Sequence, residues 1–533
     1  MNFKKYKYPL LFIFLMLFNS CKKADNKIET KNTKPNIIFI LADDLGAHDL
    51  SYAGSTFYET PNIDALAKEG TIFTQGYAAA QVCSPSRASI LTGKFTANHG
   101  ITDWIGADYG ESWAKKQNSK ILPPNYKRTI SKDDVTIAQA FKNNGYKTFF
   151  AGKWHLGKDE SIPENYGFEI NKGGWEVGNP KGGYYAPWTN PKLAYKHPGE
   201  SLTIRLAEET NSFIEDNKNE PFFAFLSFYA VHTPLQTSEK KWRKYQEKAN
   251  TNSTTKPPFK MERILPVANT QENPIYAGLV ETMDDAVGVV MKKLKELDLD
   301  KNTIVVFTSD NGGLVSSRYA AFATSNFPLR GGKGYQWEGG IREPFLIKVP
   351  QIEKAPNKVL EPVSGVDFYP TLIDLAGISK KTSQKIDGKS LVPLLKGNSL
   401  DERALFWHYP HYGNQGGEPA SMIRKGEWKL IHYWEDGKDE LYNLSKDSAE
   451  KIDVLKSNTS TANSLRKELD TFLANSKIEL PKLNPNFDAI ASKKMIENRK
   501  EKMIKRLEKR RKEILNKDFK PNENWYKSSL TKD

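Results

Sequence analysis

Two apolar runs in this chain end in oxygen-bearing side chains. Asp43-Asp44 follows the run 36–42 (NIIFILA), and Ser309-Asp310-Asn311-Gly312-Gly313 follows the run 303–308 (TIVVFT). Three carboxylates and an amide delivered to one place make an all-oxygen ligand set for a hard divalent cation, Ca²⁺ or Mg²⁺. No His/Cys cluster of zinc spacing accompanies them. Taken singly, each motif is also an ordinary turn sequence. Between them stands Cys83-Ser84-Pro85-Ser86-Arg87, continuing into Leu91-Thr92-Gly93. Cys83 reads either as a small buried hydrophobe or as a thiolate nucleophile, although no C-x-x-C pattern supports the second. Arg87 lies four residues further on, so a helix starting at Cys83 puts both side chains on one face. Lys153 and Lys333 stand in glycine-containing loops, as solvated turns or as point charges for an anion. His155 and His232, two of eight histidines, have the near-neutral pKa that proton transfer favours. Each equally fits a satisfied structural residue.

Taken together, these motifs resemble a known family. C-x-P-S-R followed by L-T-G is similar to the signature of type I sulfatases, whose Cys is converted to Cα-formylglycine. Gly152-Lys153-Trp154-His155, His232-Thr-Pro, the 309–313 motif and Leu329-Arg-Gly-Gly-Lys333-Gly-x-x-x-Glu338-Gly-Gly-x-Arg342 stand in the family's order. Arg424-x-Gly-x-Trp-Lys-Leu and Glu440-Leu-Tyr-Asn-Leu extend the resemblance, which runs from Pro35 to Lys446. It implies an alkaline phosphatase-like fold and one Ca²⁺ per chain, held by Asp43, Asp44, Asp310 and Asn311 and touching the formylglycine hydrate at position 83. One hydroxyl of that hydrate would attack sulfur and release the sugar alcohol; the second would then expel sulfate. Arg87 would steady the nucleophile, Lys153 and Lys333 would clamp sulfate oxygens, His155 would act as base and His232 as acid. The parts of His232 and Lys333 are interchangeable at this level. A formylglycine-generating enzyme becomes a necessary partner.

The elements that must position these residues read as α/β. Buried strands at 36–42, 147–151, 221–230 and 303–308 alternate with helical stretches at 136–143 and 275–297, so the expectation is a large mixed, mostly parallel sheet sandwiched by helices. After about residue 400 the texture changes to short strands with turn signals. The division that follows is a catalytic domain over 35–400, a smaller antiparallel sheet domain over 401–490, and a basic C-terminal helix and tail over 491–533.

With 78 Lys+Arg against 64 Asp+Glu and 38% hydrophobic residues, the 533-residue chain is too apolar to be disordered and too irregular for a fibre. Only two cysteines exclude a disulfide scaffold. Lys4, Lys5 and Lys7 precede an apolar run over 10–18 that is too short to span a bilayer, for which ~20 residues are needed, and has the size of a signal-peptide core. Ser20-Cys21 resembles a relaxed lipobox, so 1–20 reads as a signal peptide, Cys21 as a lipidation site and 21–34 as a linker. An exported lipoprotein follows, in the periplasm or at the cell surface and anchored to the outer membrane.

Residues 492–513 hold eleven Lys/Arg against four Glu. Ile496, Met503, Leu507 and Ile514 share one helical face there, which describes a packed amphipathic helix or an attractor for a polyanion. In that compartment a sulfated or carboxylated polysaccharide fits better than nucleic acid. Algal ulvan, carrageenan or porphyran lead, with glycosaminoglycans as the alternative. A phosphodiesterase or phosphonate hydrolase is the rival within the fold; a non-catalytic glycan-binding surface lipoprotein is the rival from another class. Trp175 and Trp188, in an aromatic loop with Tyr184 and Tyr185, and His408 and His411 are candidate sugar contacts; loop anchoring and strand packing are the alternatives.

Overall fold

The strand Asn36–Ala42 is buried at every position, and its alternation shows why it is apolar throughout. Ile38, Ile40 and Ala42 enter one core cluster, while Ile37, Phe39 and Leu41 enter another. It is the fifth of eight strands, in the order Lys358–Val359, Thr71–Phe73, Phe345–Lys348, Thr303–Ser309, Asn36–Ala42, Phe222–Ser227, Lys147–Gly152 and Ile170–Lys172. Every neighbouring pair is parallel except the two made by Phe345–Lys348. The large mixed, mostly parallel sheet expected from sequence is present. Pro61–Glu69, Leu202–Asp216 and Pro274–Glu296 bury their apolar stripes against one face; Cys83–Thr92, Ile137–Lys142 and Phe368–Leu375 cover the other.

This computed structural model describes residues 34–251, 256–378 and 384–519. The signal peptide over 1–20, the lipidation expected at Cys21 and nearly all of the linker lie outside the described residues, as does the tail from 520. Among the described residues no helix is long and apolar enough to cross a membrane.

One apolar run is only partly strand. The segment 221–230 pairs over Phe222–Ser227, and the rest turns across the tip of Asn36–Ala42. Val231 N–H donates to Asp43 O at 2.7 Å and Asp43 N–H to Ala230 O at 2.9 Å. That turn delivers His232 to the sheet end.

A four-stranded antiparallel sheet follows, Ala404–Tyr409, Ala420–Lys425, Trp428–Tyr433 and Asp439–Asn443. Helix Thr459–Ser476 covers one face through Leu465, Leu469 and Leu473; the other packs Trp407, Met422 and Ile431 against Tyr77 and Trp337. The C-terminal helix Ala489–Leu515 buries Met503, Leu507 and Ile514 against Trp242, Phe259 and Leu265, with Ile496 only half-buried. Its polar face stays outward, as an amphipathic surface helix requires.

The two-faced central strand sets a stability prediction. Phe39 stacks on Phe225 at 4.7 Å and meets Phe368 edge-on at 4.9 Å. Phe39→Ala is expected to cost about 3–5 kcal/mol in chemical denaturation. Ile490→Ala, at a side chain 84% exposed, is expected to cost under about 0.5 kcal/mol.

Candidate active site

Register decides what meets at the sheet's C-terminal edge. Ala42 is level with Ser309, and Gly152 with Ser227, so Asp43, Asp310 and Lys153 leave the sheet on nearby strands. Gly152 is required there: its φ is +102°, and a Cβ would fall 1.8 Å from Ser227 O. Asp44 (φ 64°) and His155 (φ 54°) both occupy the left-handed region, which costs a residue with a Cβ about 1–3 kcal/mol and is tolerated where surroundings over-determine it.

Three buried carboxylates face three cations. Lys153 Nζ lies 2.7 Å from Asp43 Oδ2, Lys333 Nζ 2.7 Å from Asp44 Oδ1, and Arg87 Nε 2.7 Å from Asp310 Oδ2. Arg87 Nη1 also donates to Lys153 O at 2.9 Å and to Ser227 Oγ at 2.7 Å. Asn311 Nδ2 donates to Asp44 Oδ1 at 2.8 Å, and Asp44 N–H to Asp310 Oδ1 at 3.2 Å. Burial pushes Asp43 well above the usual carboxylate range despite Lys153 beside it. Burial acts the same way on Asp44, but Lys333, His232 and Lys153 outweigh it and hold that carboxyl down.

Cys83 opens the buried helix Cys83–Thr92, with Arg87 one turn on. Cys83 Sγ lies 3.3 Å from His155 Nδ1. His155 Nε2 lies 3.1 Å from Ile105 O, which only accepts, so Nε2 carries the proton and Nδ1 is an open acceptor. Ser84 Oγ lies 3.3 Å from the same Nδ1 but spends its proton on His155 O at 3.0 Å. Burial, then the charges of Lys153 and Arg87, lower His155 well below its ordinary pKa and keep it neutral. Burial and then Lys333 lower His232 likewise. Its Nδ1 is bonded to Thr233 O, leaving Nε2 3.7 Å from Asp44 Oδ2.

A divalent cation fits this arrangement. Asp43 Oδ1 and Asn311 Oδ1 are buried without a hydrogen-bond partner among the described residues, and two orphaned acceptors beside carboxylates are what a hard cation satisfies. Asp43, Asp44 and His232 each offer a ligand atom within 4.8 Å of the others.

Cys83, His155, His232, Lys333 and Asp44 line a cavity of about 480 Å³. Sequence reasoning missed the rest of its wall, which includes Trp104, Asn179, Tyr319, Asn414 and Gln415. These come from irregular loops with no periodicity; only the exposed aromatic Tyr319, just past the 309–313 motif, carried a signal. Three proposed sugar contacts do not reach the cavity. Trp188 Nε1 donates to Leu193 O within the core, His408 bonds Ser421 Oγ at 2.7 Å, and His411 bonds Thr102 Oγ1 at 2.9 Å; all three side chains are buried. Trp175 is half-buried and its carbonyl accepts from His155 N–H at 3.2 Å.

A cavity lined by Cys83, Lys333, His155 and His232, beside an oxygen-ligand cluster at the end of a mostly parallel sheet, suits the hydrolysis of anionic esters. Residues 35–378 match the sulfatase family, and the chain belongs to it; it is a sulfuric ester hydrolase. Residues 332–478 also match the C-terminal region of N-sulphoglucosamine sulphohydrolase. A sulfatase of Formosa agariphila is 32% identical over 528 residues, covering 85% of this chain and 90% of its own. An ulvan-active sulfatase of the same organism is 29% identical, covering 79% and 77%. The structure of Ps i-CgsB in complex with k-i-k-neocarrahexaose superposes with a TM-score of 0.67 at 28% identity, covering 83% and 93%.

The orphaned oxygens generate a prediction that is independent of turnover. Chelator-treated protein is expected to gain melting temperature on addition of Ca²⁺, more than with Zn²⁺ at equal concentration, because ligand binding to the native state alone stabilises it. Asp43→Asn is expected to lose that gain. An equal rise in both proteins, read by differential scanning fluorimetry, would put the cation elsewhere.

Proposed function

We propose that the chain removes sulfate monoesters from a sulfated polysaccharide of algal type, using formylglycine made from Cys83 and one Ca²⁺. The observation that carries this reading is Cys83 itself, which lines a cavity shared with Lys333 and lies against an unprotonated nitrogen of His155. The ulvan-active relative and the carrageenan-oligosaccharide complex support the polymer class. Export and lipid anchoring through Cys21 belong to the same proposal, since such polymers are met outside the cell.

Formylglycine hydrate supplies a hydroxyl nucleophile and a second hydroxyl for sulfate release. Asp43, Asp44, Asp310 and Asn311 would hold Ca²⁺, which would supply positive charge for sulfate oxygens. The chain's own side chains do the rest. A sulfate ester is an anion, so Lys153 and Lys333 offset its charge and the charge that builds up during transfer. Arg87, fixed by Asp310, Ser227 and Lys153 O, holds the side chain at position 83. His155 Nδ1 accepts the proton of a hydroxyl at position 83, with Nε2–H anchored on Ile105 O. Lys333 keeps its proton: burial opposes this, but Asp44 raises its pKa strongly. Lys333 lines the cavity with its ammonium 2.7 Å from Asp44 Oδ1, and we assign it as the donor to the departing oxygen, with neutral His232 as its neighbour across Asp44.

Protein made with a formylglycine-generating enzyme is expected to carry an aldehyde at position 83 by peptide mass spectrometry. It should release sulfate from ulvan, carrageenan or porphyran oligosaccharides faster than from chondroitin, while folded Cys83→Ala releases none. Faster cleavage of a phosphate diester would move the chain to diester hydrolysis. Full activity with unmodified Cys83 would move the chemistry to the thiol.

The acid assignment has its own test. Removing a general acid costs about 10²–10⁴-fold where the leaving group needs a proton. Lys333→Met is expected to lose that on a sugar sulfate and far less on 4-nitrophenyl sulfate, whose leaving group departs as an anion. If His232→Ala shows this leaving-group dependence and Lys333→Met does not, the two roles exchange.

A further inference from the structure

Two guanidinium groups meet with no acid between them, one of them on a segment whose neighbouring residues line the cavity. Arg318 Nη1 donates to Gln117 Oε1 at 2.6 Å, and Arg499 Nη2 donates to the same oxygen at 3.1 Å. Among the described residues neither has a carboxylate within ion-pairing distance, whereas the partly buried Arg263, Arg330 and Arg403 are each paired with one. Arg318 Nε is buried with no hydrogen-bond partner. Burial, then the neighbouring Arg499 charge, lower Arg318 to about 10. One amide oxygen therefore serves two cations that repel each other, and an anion is the missing component.

Location says what that anion belongs to. Ser317 and Tyr319, on either side of Arg318, line the active-site cavity, as does Asn414, whose carbonyl accepts from Arg318 N–H at 2.9 Å. The guanidinium of Arg318 lies over Trp113, 5.3 Å from the ring centroid, and Trp113 stacks on Tyr412. Arg499 comes from the C-terminal helix, whose outward face continues with the exposed Lys502, Arg506 and Lys509. The planar guanidinium recognises paired oxygens through parallel N–H donors, which suits sulfate and carboxylate alike.

We propose that Arg318 and Arg499 bind a second anionic substituent on the glycan chain, a sulfate ester next to the one being removed. This rests on the polysaccharide reading above and makes the enzyme a reader of sulfation on neighbouring sugar units. The basic helix then extends the contact along the polymer, with electrostatic attraction screened by salt.

The test separates binding from turnover. Full-length protein carrying Cys83→Ala is titrated by calorimetry with a sulfated carrageenan hexasaccharide and with an oligogalacturonate hexasaccharide. Adding Arg499→Gln, or Arg318→Gln, is expected to weaken the sulfated ligand about tenfold, the scale of one charge-assisted hydrogen bond. Arg499→Lys should recover part of that loss, and Lys467→Gln, at an exposed lysine elsewhere, should lose none. Weakening of both ligands assigns the site to any anion on the chain; weakening of the sulfated one alone assigns it to sulfate. Arg499 is half-exposed on a surface helix, so its variant stays informative if Arg318→Gln fails to fold. No binding by the parent, or equal binding by the Arg variants, overturns the inference. Sulfate release by the converted enzyme is measured in parallel: its absence on every glycan defeats the polysaccharide reading, while the calorimetric result decides the arginine site.

Discussion

Three carboxylates buried at the ends of two parallel strands set the terms for the rest of this molecule. Removing a carboxylate from water costs several kcal/mol, and like charges a few ångströms apart add to that. The chain meets this cost by bringing Lys153, Lys333 and Arg87 to the same point from three distant places in sequence. Each cation is itself buried, so neither set is stable there without the other. The cluster is thus charge-matched before any cation or substrate arrives. A divalent cation tips that balance positive, and an anionic ester is the ligand a surplus of positive charge selects.

The same constraint explains the strained and crowded backbone around the cluster. Asp44 and His155 take left-handed conformations because the chain must turn sharply at a strand end while keeping its side chain inside. Gly178 lies flat on the His155 ring: a Cβ there would meet Cε1 at 2.5 Å. The aromatic loop that looked suited to sugar stacking holds this backbone instead. Tyr184 OH reaches Tyr229 O at 2.6 Å and His232 O at 2.7 Å, bracing the turn that presents His232.

Much of this was legible in the sequence, for identifiable reasons. The central strand was visible because burial on both faces makes it continuously apolar, and the residues after it were visible because they are charged where charge is costly. Helical spacing put Arg87 on one face with Cys83, and the resemblance to the family supplied its role. The cavity wall was not legible, since Trp104, Asn414 and Gln415 gain their role only from tertiary contacts between loops. His408 and His411 misled for the opposite reason: a polar residue in or just after an apolar strand looks functional until its partner, Ser421 or Thr102, is seen. The basic helix was legible as amphipathic, but charge counting could not separate Arg511, paired with Glu272 at 2.6 Å, from Arg499, which pairs with no acid among the described residues.

The small antiparallel sheet explains motif residues that touch no substrate. Lys429 Nζ, fully buried, lies 3.2 Å from Glu338 Oε1, and Tyr77 OH donates to Glu338 Oε2 at 2.6 Å, with Arg424 bonded in turn to that hydroxyl. Glu338 opens the short helix Glu338–Ile341, whose Gly339 N–H donates to Arg330 O at 2.8 Å, bracing the loop that carries Lys333. On the other side, Tyr409 OH donates to Asp103 Oδ1 at 3.0 Å. Two residues after Asp103, Ile105 O fixes the His155 tautomer, with Trp104 in the cavity wall between them. The second sheet therefore sets both a cation and a base from behind. Lys429 Nζ also lies 2.8 Å from Glu450 Oε1, so removing this lysine leaves two deeply buried carboxylates without the cation they share, which costs more than the pairs contribute when intact. That asymmetry ties Lys429 and Glu338 to each other even though neither reaches the cavity.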